Sequence, residues 1–487
     1  MAADLGCYNI ADLREQARRR LPLGIWEYLE RGAEDEAGMA RNRTAFDAVT
    51  FRPRVLRRVD RIDASAELFG RPLPFPFAVA PTGAAGMMWH EGDLALAHAA
   101  AKAGVPFTIS SASTMDLEQI AAAGGRLWFQ LYLWENRELS LAVVDRAAAL
   151  GCEALFVTLD MPVPPNREYI HRNGFGTPFR LNARNLLDVL THPRWLAGVM
   201  GRYALAGGIP SQANLPDRLR TKVTGTAMPG ALFKQDDLDW DGIKMLRDRW
   251  PGKLVLKGIL HPEDAKLALA AGADGVVVSN HGARALDSSI ASMEALPGVV
   301  EAVGSRAAVL LDSGVRRGSD IARAVALGAD AVMAGRAPLY GLASHGEAGV
   351  ARALEMLRAE FVRTMAMLGA RDIAELRHAR GCPAQRRKKN GGETPPLFVM
   401  RCSRRLRAGR QVFVVVRHDD RDDTSDDQQR QEQAEGAHAS EIFRSPDFRT
   451  RTVQSSRSGG RGGRPDEHAS SGKAEKRLTN NHLVPFL

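Results

Sequence analysis

Cysteine is scarce in this 487-residue chain: Cys7, Cys152, Cys382 and Cys402 are the whole complement. Thiols so far apart form neither a disulfide framework nor a thiolate metal site, so a reducing compartment and no metal ion are expected. A one-sided charge is also lacking in the body of the chain. The formal net charge of +9 comes mostly from its end: positions 386 to 487 hold 21 Lys+Arg against 14 Asp+Glu, whereas positions 1 to 385 hold 45 against 43. A nearly neutral body offers no electrostatic footprint for nucleic acid. The opening MAADLGCYNIADLREQARRR has no basic segment running into a long apolar stretch and no small-residue cleavage site, so no secretory signal is expected there. A cytoplasmic protein is the expectation.

What the chain does have is apolar material, 45% of residues against 25% charged, the balance of a soluble globular protein with a sizeable core. Between residues 75 and 340 a short apolar run recurs eight times, each followed by a helical stretch rich in Ala and Leu. The runs lie at 75–82, 107–111 (FTISS), 127–132 (LWFQLY), 154–160 (ALFVTLD), 253–258 (KLVLKG), 275–280 (GVVVSN), 308–314 (AVLLDSG) and 331–336 (AVMAGR). Near-continuous apolarity implies burial on both faces, as in parallel strands under helices. Eight such units in series predict an α/β fold, a closed TIM (β/α)8 barrel, with a doubly wound sheet as the weaker alternative. Barrel ligands sit at the C-terminal strand ends, and polar residues fall there: Thr82, Ser110, Gln130, Tyr132, Thr158, Asp160, Lys257, Ser279, His281, Asp312 and Arg336.

Residues 1–385 are read as the barrel domain. The gap between the fourth and fifth runs, 168–240, exceeds a normal connection and implies an insertion after strand 4. Within it 186–210 carries only Asp188, Arg194 and Arg202 as formal charges, and Pro193 and several glycines interrupt it. It is too short and broken to span a bilayer, which leaves a lid or a membrane-docking segment. From 386 to 487 no hydrophobic period survives, and a disordered basic tail is predicted. Its RSGGRGGR piece has the composition of an RNA-touching segment, but a solvated tail is the stronger reading.

The string VVVSNHGARALD puts His281 and Arg284 on one loop at the barrel mouth. A histidine takes a proton near neutral pH, and a guanidinium three residues on can hold a carboxylate beside it. Asp160, at the end of strand 4, would stabilise the imidazolium formed, and Arg167 beyond it supplies a second cation. Gly314 with Arg316 and Gly335 with Arg336, after strands 7 and 8, fit the barrel's usual phosphate site. Lys257 ends strand 5 and, if buried, needs a negative partner.

With YLERGAEDE (28–36), PTG (81–83), WFQLY (128–132), LKG, SNHGARALD, DSGVRRGSD and GRAPLYGLA in this order, the chain from about residue 8 to 380 resembles the FMN-dependent L-2-hydroxy acid dehydrogenase/oxidase family. The resemblance implies His281 as the active-site base, Asp160 as its partner, Arg167 and Arg284 as the carboxylate clamp, and Tyr28 and Tyr132 as substrate-binding tyrosines. It implies FMN held by Thr82, Gly83, Ser110, Gln130, Thr158, Lys257 and Ser279 along the ring and ribityl chain, and by Asp312, Gly314, Arg316, Gly335 and Arg336 at the ribityl and phosphate end. The segments PTGAAGMMWHEGD and THPRW, with Ala112, look most like mandelate dehydrogenase and its membrane-associated relatives. Ala112, where glycolate oxidases resemble one another in a large aromatic, leaves room for a phenyl or long alkyl side chain. The implied reaction is oxidation of a mandelate- or lactate-like L-2-hydroxy acid, with the proton leaving Cα or the hydroxyl and electrons passing to an acceptor such as quinone. An oxidase producing peroxide is the alternative, and a non-redox FMN barrel is disfavoured by the two arginines. Peripheral contact of 186–210 with the inner face of the cell membrane, dye reduction surviving its deletion, and a homo-oligomer, tetrameric by resemblance, complete the expectations.

Overall fold

An antiparallel hairpin, β1 (Ala66–Leu68) and β2 (Arg71–Leu73), precedes eight parallel strands: β3 (Phe77–Val79), β4 (Phe107–Ser110), β5 (Leu127–Leu131), β6 (Ala154–Thr158), β7 (Lys253–Ile259), β8 (Gly275–Val278), β9 (Ala308–Leu311) and β10 (Ala331–Ala334). The eight close on themselves in the order β10-β3-β4-β5-β6-β7-β8-β9, a complete barrel, so the doubly wound alternative falls. These elements belong to a computed structural model that describes residues 5–378, apart from 135, 175–181, 207, 209, 212 and 215–236. The expected boundary at 385 and the basic tail at 386–487 lie outside the described residues, as does part of the 168–240 insertion.

Strand side chains alternate between two environments. Ala78, Trp128, Phe156, Val255, Val277, Leu310 and Met333 form one buried cluster inside the barrel, with Trp128 stacked on Phe156 at 5.0 Å between ring centroids. Their neighbours Phe77, Val79, Phe129, Leu155, Val157, Val276 and Val309 pack in the cluster shared with the helices. The hairpin contributes Leu68 and Leu73 to the inner cluster, and Phe69 meets Trp128 edge-on at 5.9 Å. Two residues beyond five of these seven, the same face turns polar: Gln130 follows Trp128, Thr158 follows Phe156, Lys257 follows Val255, Ser279 follows Val277 and Asp312 follows Leu310. One parity therefore fills the barrel and builds the site above it.

Three helices precede the barrel: α1 (Ile10–Arg20), α2 (Leu23–Glu30) and α3 (Ala37–Asp47). α1 is capped by Asn9, whose side chain accepts from the Asp12 N–H. After β6 the described part of the insertion holds the helix Ala183–Leu190, closed at its start by an Asn182/Asn185 capping box, and a helical run from Pro193 to Leu205 that is π-helical over Leu196–Gly201. Its two sides differ. Trp195 and Val199 are buried, the Trp195 indole N–H donates to the Met87 carbonyl at 2.8 Å, and the Tyr203 hydroxyl accepts from the Glu91 N–H at 3.1 Å. Leu186, Leu187, Leu190 and Leu205 are 51%, 64%, 58% and 92% exposed, more than half in each case. No helix among the described residues is long and apolar enough to cross a membrane.

Candidate active site

The loop after β8 makes three left-handed residues in a row, His281 (φ +57°), Gly282 (+65°) and Ala283 (+59°). For the two with side chains this backbone costs about 1–2 kcal/mol each, so the surroundings must impose it. Nδ1 of His281 stands 2.8 Å from Asp160 Oδ1, and Nε2 stands 3.4 Å from the Tyr132 hydroxyl. Asp160 reaches the ring because Gly258, at φ +106°, carries no side chain: a Cβ there would lie 2.7 Å from that of Asp160. Burial raises the Asp160 carboxyl, but His281 and Lys257 outweigh it and hold the group below the ordinary carboxylate range. Burial lowers His281, and Asp160 offsets this only in part, so the imidazole is neutral at neutral pH. With Nδ1–H directed at Asp160, Nε2 carries the lone pair and faces the Tyr132 hydroxyl.

Arg167 and Arg284 share the same wall. Arg167 donates through Nε and one Nη to the Arg284 carbonyl at 3.1 and 3.0 Å, and Arg284 donates to the Arg31 carbonyl at 2.6 Å. The Arg284 guanidinium lies over the Tyr28 ring, 5.2 Å from its centroid. Burial, and then the repulsion of Arg284, pull Arg167 down to about 10, so an anion bound between them would be favourable to both. Burial raises the hydroxyls of Tyr28 and Tyr132, keeping both protonated as donors.

Along the rest of the cavity, Ser110 donates to Gln130 at 3.1 Å and Gln130 donates to Thr158 at 2.9 Å. Lys257 is ion-paired with Asp312 at 3.1 Å and donates to Ser279 at 2.9 Å. Burial works against its charge, yet Asp312 and Asp160 raise it, so the ammonium persists. At one end Gly314 (φ +89°) and Gly335 meet Arg316 and Arg336. Arg336 donates to the carbonyls of Gly282 and Arg31 at 3.0 and 3.2 Å, and burial followed by Arg284 draws it down to about 10. A cofactor with a polar planar ring at the Lys257 end and a phosphate at the arginine end fits this set. Thr82, a residue of the cavity wall, carries the test, since its buried hydroxyl has no partner among the described residues.

The structure brings the predicted residues to one place. Tyr28, Thr82, Gly83, Ser110, Gln130, Tyr132, Thr158, Arg167, Lys257, His281, Arg284, Asp312, Gly314, Arg316, Gly335 and Arg336 wall a single cavity. Asp160 and Ser279 are not on that wall: Asp160 backs His281, and the Ser279 hydroxyl accepts from Lys257 and from the His281 N–H at 3.1 Å. Sequence reasoning missed Met88, Trp134, Met161, Ser313 and Leu339, which also wall it. Four of these are apolar and read as core, and Ser313 reads as part of an ordinary turn, so nothing but the fold distinguishes them. Ala112, marked for its small size, does line the cavity.

A cavity at the C-terminal mouth of a parallel barrel, with a histidine–carboxylate pair, a cation pair and a glycine–arginine end, is that of a flavin-type oxidoreductase. Residues 17–381 match the FMN-dependent dehydrogenase family, and the chain belongs to it. It is 43% identical over 373 residues to (S)-mandelate dehydrogenase of Pseudomonas putida, covering 76% of this chain and 92% of that protein. It is 40% identical over 370 residues to L-lactate dehydrogenase of Bartonella tribocorum, covering 75% and 95%. Among solved structures, monotopic membrane protein (S)-mandelate dehydrogenase superimposes with a TM-score of 0.72 at 42% identity, over 76% of this chain and 97% of that one. A mandelate oxidase variant with (S)-mandelic acid gives 0.64 at 36% identity, over 76% and 97%. The protein is an FMN-dependent dehydrogenase.

Proposed function

We propose that the chain oxidises a mandelate- or lactate-like L-2-hydroxy acid to the 2-keto acid and passes the electrons to a separate acceptor, a membrane quinone. The observation that carries this is His281, paired with Asp160, lining the same cavity as the buried Arg167 and the partly buried Arg284. Arg167 and Arg284 take the substrate carboxylate, with the Tyr28 hydroxyl donating to it, and this fixes the orientation of Cα. His281 Nε2 takes one proton, and Asp160 stabilises the imidazolium through Nδ1–H. Tyr132 donates to the substrate oxygen or to Nε2, according to which needs it. Bound FMN would supply the sink for the two electrons and the second proton. Thr82, Gly83, Ser110, Gln130, Thr158 and Lys257 hold its ring and ribityl chain, with Ser279 orienting Lys257. Asp312, Gly314, Arg316, Gly335 and Arg336 hold the ribityl and phosphate end. Lys257 also counters negative charge that accumulates there.

Peripheral attachment to the inner face of the membrane belongs to the same reading. It is supported by the four exposed leucines of the insertion and by the likeness to a protein described as monotopic. Deleting 186–210 is a blunter test than the sequence suggests, because Trp195 and Tyr203 brace the 85–91 loop. Replacing Leu186, Leu187 and Leu190 by Gln should release the protein from membrane vesicles while dye reduction persists; unchanged partition refutes the docking. A homotetramer, read from the resemblance, is checked by light scattering in detergent.

The deciding experiment is anaerobic mixing with L-lactate, (S)-mandelate and long-chain L-2-hydroxy acids while flavin absorbance is followed. Bleaching by an L-acid, with little peroxide in air compared with dye turnover, is expected. A yellow protein that never bleaches refutes the proposal.

A further inference from the structure

The loop that carries His281 is held by side chains rather than by a regular element. The N–H groups of Asn280 and Gly282 donate to Ser313 Oγ at 3.3 and 2.9 Å, that of His281 to Ser279 Oγ at 3.1 Å, and that of Ala283 to Asn280 Oδ1 at 3.1 Å. Four successive amides thus each meet a side-chain oxygen, that of Ala283 being shared with the Asn280 carbonyl at 2.9 Å, so the left-handed turn leaves none of these donors unpaired. Asn280 is central to this and is itself fixed from outside the loop. Its amide pairs reciprocally with that of Asn42 on α3, at 2.9 and 2.8 Å, and donates to the Ile290 carbonyl at 3.2 Å. Both lone-pair directions of Asn280 Oδ1 are therefore filled, one by Asn42 and one by the turn.

α3 grips the same loop elsewhere. The Asp287 carboxylate accepts from the N–H groups of Ala37 and Gly38 at 3.1 and 2.7 Å, at the positive end of the helix. Arg41 donates to the carbonyls of Asp287 and Ser289 at 3.0 and 2.8 Å. Asn42 and Asn280 are each 3% exposed and neither is among the residues that wall the main cavity.

We propose that Asn42 is a positioning residue for the oxidation: through the reciprocal amide pair with Asn280, α3 imposes the left-handed turn that sets His281 against Asp160. This rests on His281 being the base. Without Asn42, one lone pair of Asn280 Oδ1 and one of its amide protons lose their partner, and only the Ile290 carbonyl and the Ala283 N–H still hold the side chain, which loosens its grip on the turn. A base displaced by about 1 Å loses on the order of a hundredfold in rate.

The test uses the full-length FMN-loaded protein, with Asn42→Ala and His281→Gln prepared in parallel. For Asn42→Ala, flavin bleaching by saturating (S)-mandelate or L-lactate, per bound flavin, should slow by about tenfold or more. KM and the Kd for FMN, from fluorescence titration of apoprotein, should stay within about threefold. The Asn42→Ala/Asn280→Ala pair should be no slower than Asn280→Ala alone, because both act through one contact. Asn42→Ser, a smaller change that keeps a donor, should be intermediate, and it carries the test should Asn42→Ala not fold. A lowered Tm with an unchanged rate per flavin overturns the proposal, leaving Asn42 merely structural. Turnover by His281→Gln would instead sink the base assignment.

Discussion

Replacing Asp160 by Asn separates the charge of the carboxylate from its shape. In the resting protein the change is small, because His281 is neutral and a neutral side chain can still hold a ring nitrogen at 2.8 Å. The effect falls on the state in which His281 has gained its proton. With charge centres about 4 Å apart and an effective dielectric of about 20, the lost attraction is about 4 kcal/mol. Relaxation and water entry reduce it, so about 3 kcal/mol is the working figure, close to a two-hundredfold loss in the rate of flavin reduction. Asparagine also presents an NH2 group that favours the opposite imidazole tautomer, which acts in the same direction. Arg167 and Arg284 are untouched, so substrate Kd should stay within about threefold. Anaerobic stopped-flow reduction over a range of acid concentrations yields both constants. A reduction rate within about threefold of the parent, or a defect confined to Kd, refutes the reasoning.

The pH dependence follows from the same pair. His281 lies below its ordinary value of 6.5, so kcat/KM should hold down to that pH and fall as His281 protonates further below; a limb above pH 7 contradicts this. Because Asp160 raises His281, the Asp160→Asn limb should move to still lower pH even as the plateau drops. Lys257→Met leaves Asp312 buried without its ion partner and should cost about 3 kcal/mol of stability in urea unfolding, with weaker FMN binding. An unchanged midpoint would show that Asp312 finds another cation. Ala112→Trp should fill the side-chain pocket, cutting kcat/KM for (S)-mandelate at least tenfold more than for L-lactate. Equal losses for the two acids would remove Ala112 from specificity.

The barrel was legible because its strands advertise themselves twice, by near-continuous apolarity and by a polar residue where each run ends. That second signal is a consequence of strand parity: an apolar residue inside the barrel and a cavity-facing residue above it are two apart, as Val255 and Lys257 or Leu310 and Asp312 are. The β1–β2 hairpin gave no such signal. Its three-residue strands, Ala-Glu-Leu and Arg-Pro-Leu, each bury one leucine and have no periodicity to read.

What stayed illegible are contacts between residues far apart in sequence. Lys257 could have met either a flavin edge or a carboxylate, and in the structure it meets Asp312, which is itself in the cavity wall. Asn42 and Asn280 are 238 positions apart, and each alone is an ordinary amide on a helix or in a turn. The insertion shows the same limit most clearly. Its apolar residues read as one docking or lid segment, but a hydrophobic side chain does not announce which apolar medium it faces. Folding divides them, with Trp195 and Val199 turned inward and Leu186, Leu187, Leu190 and Leu205 outward. Because the inward set holds the loop bearing Met88 against the cavity, substitutions of the outward set alone can test attachment without disturbing substrate binding.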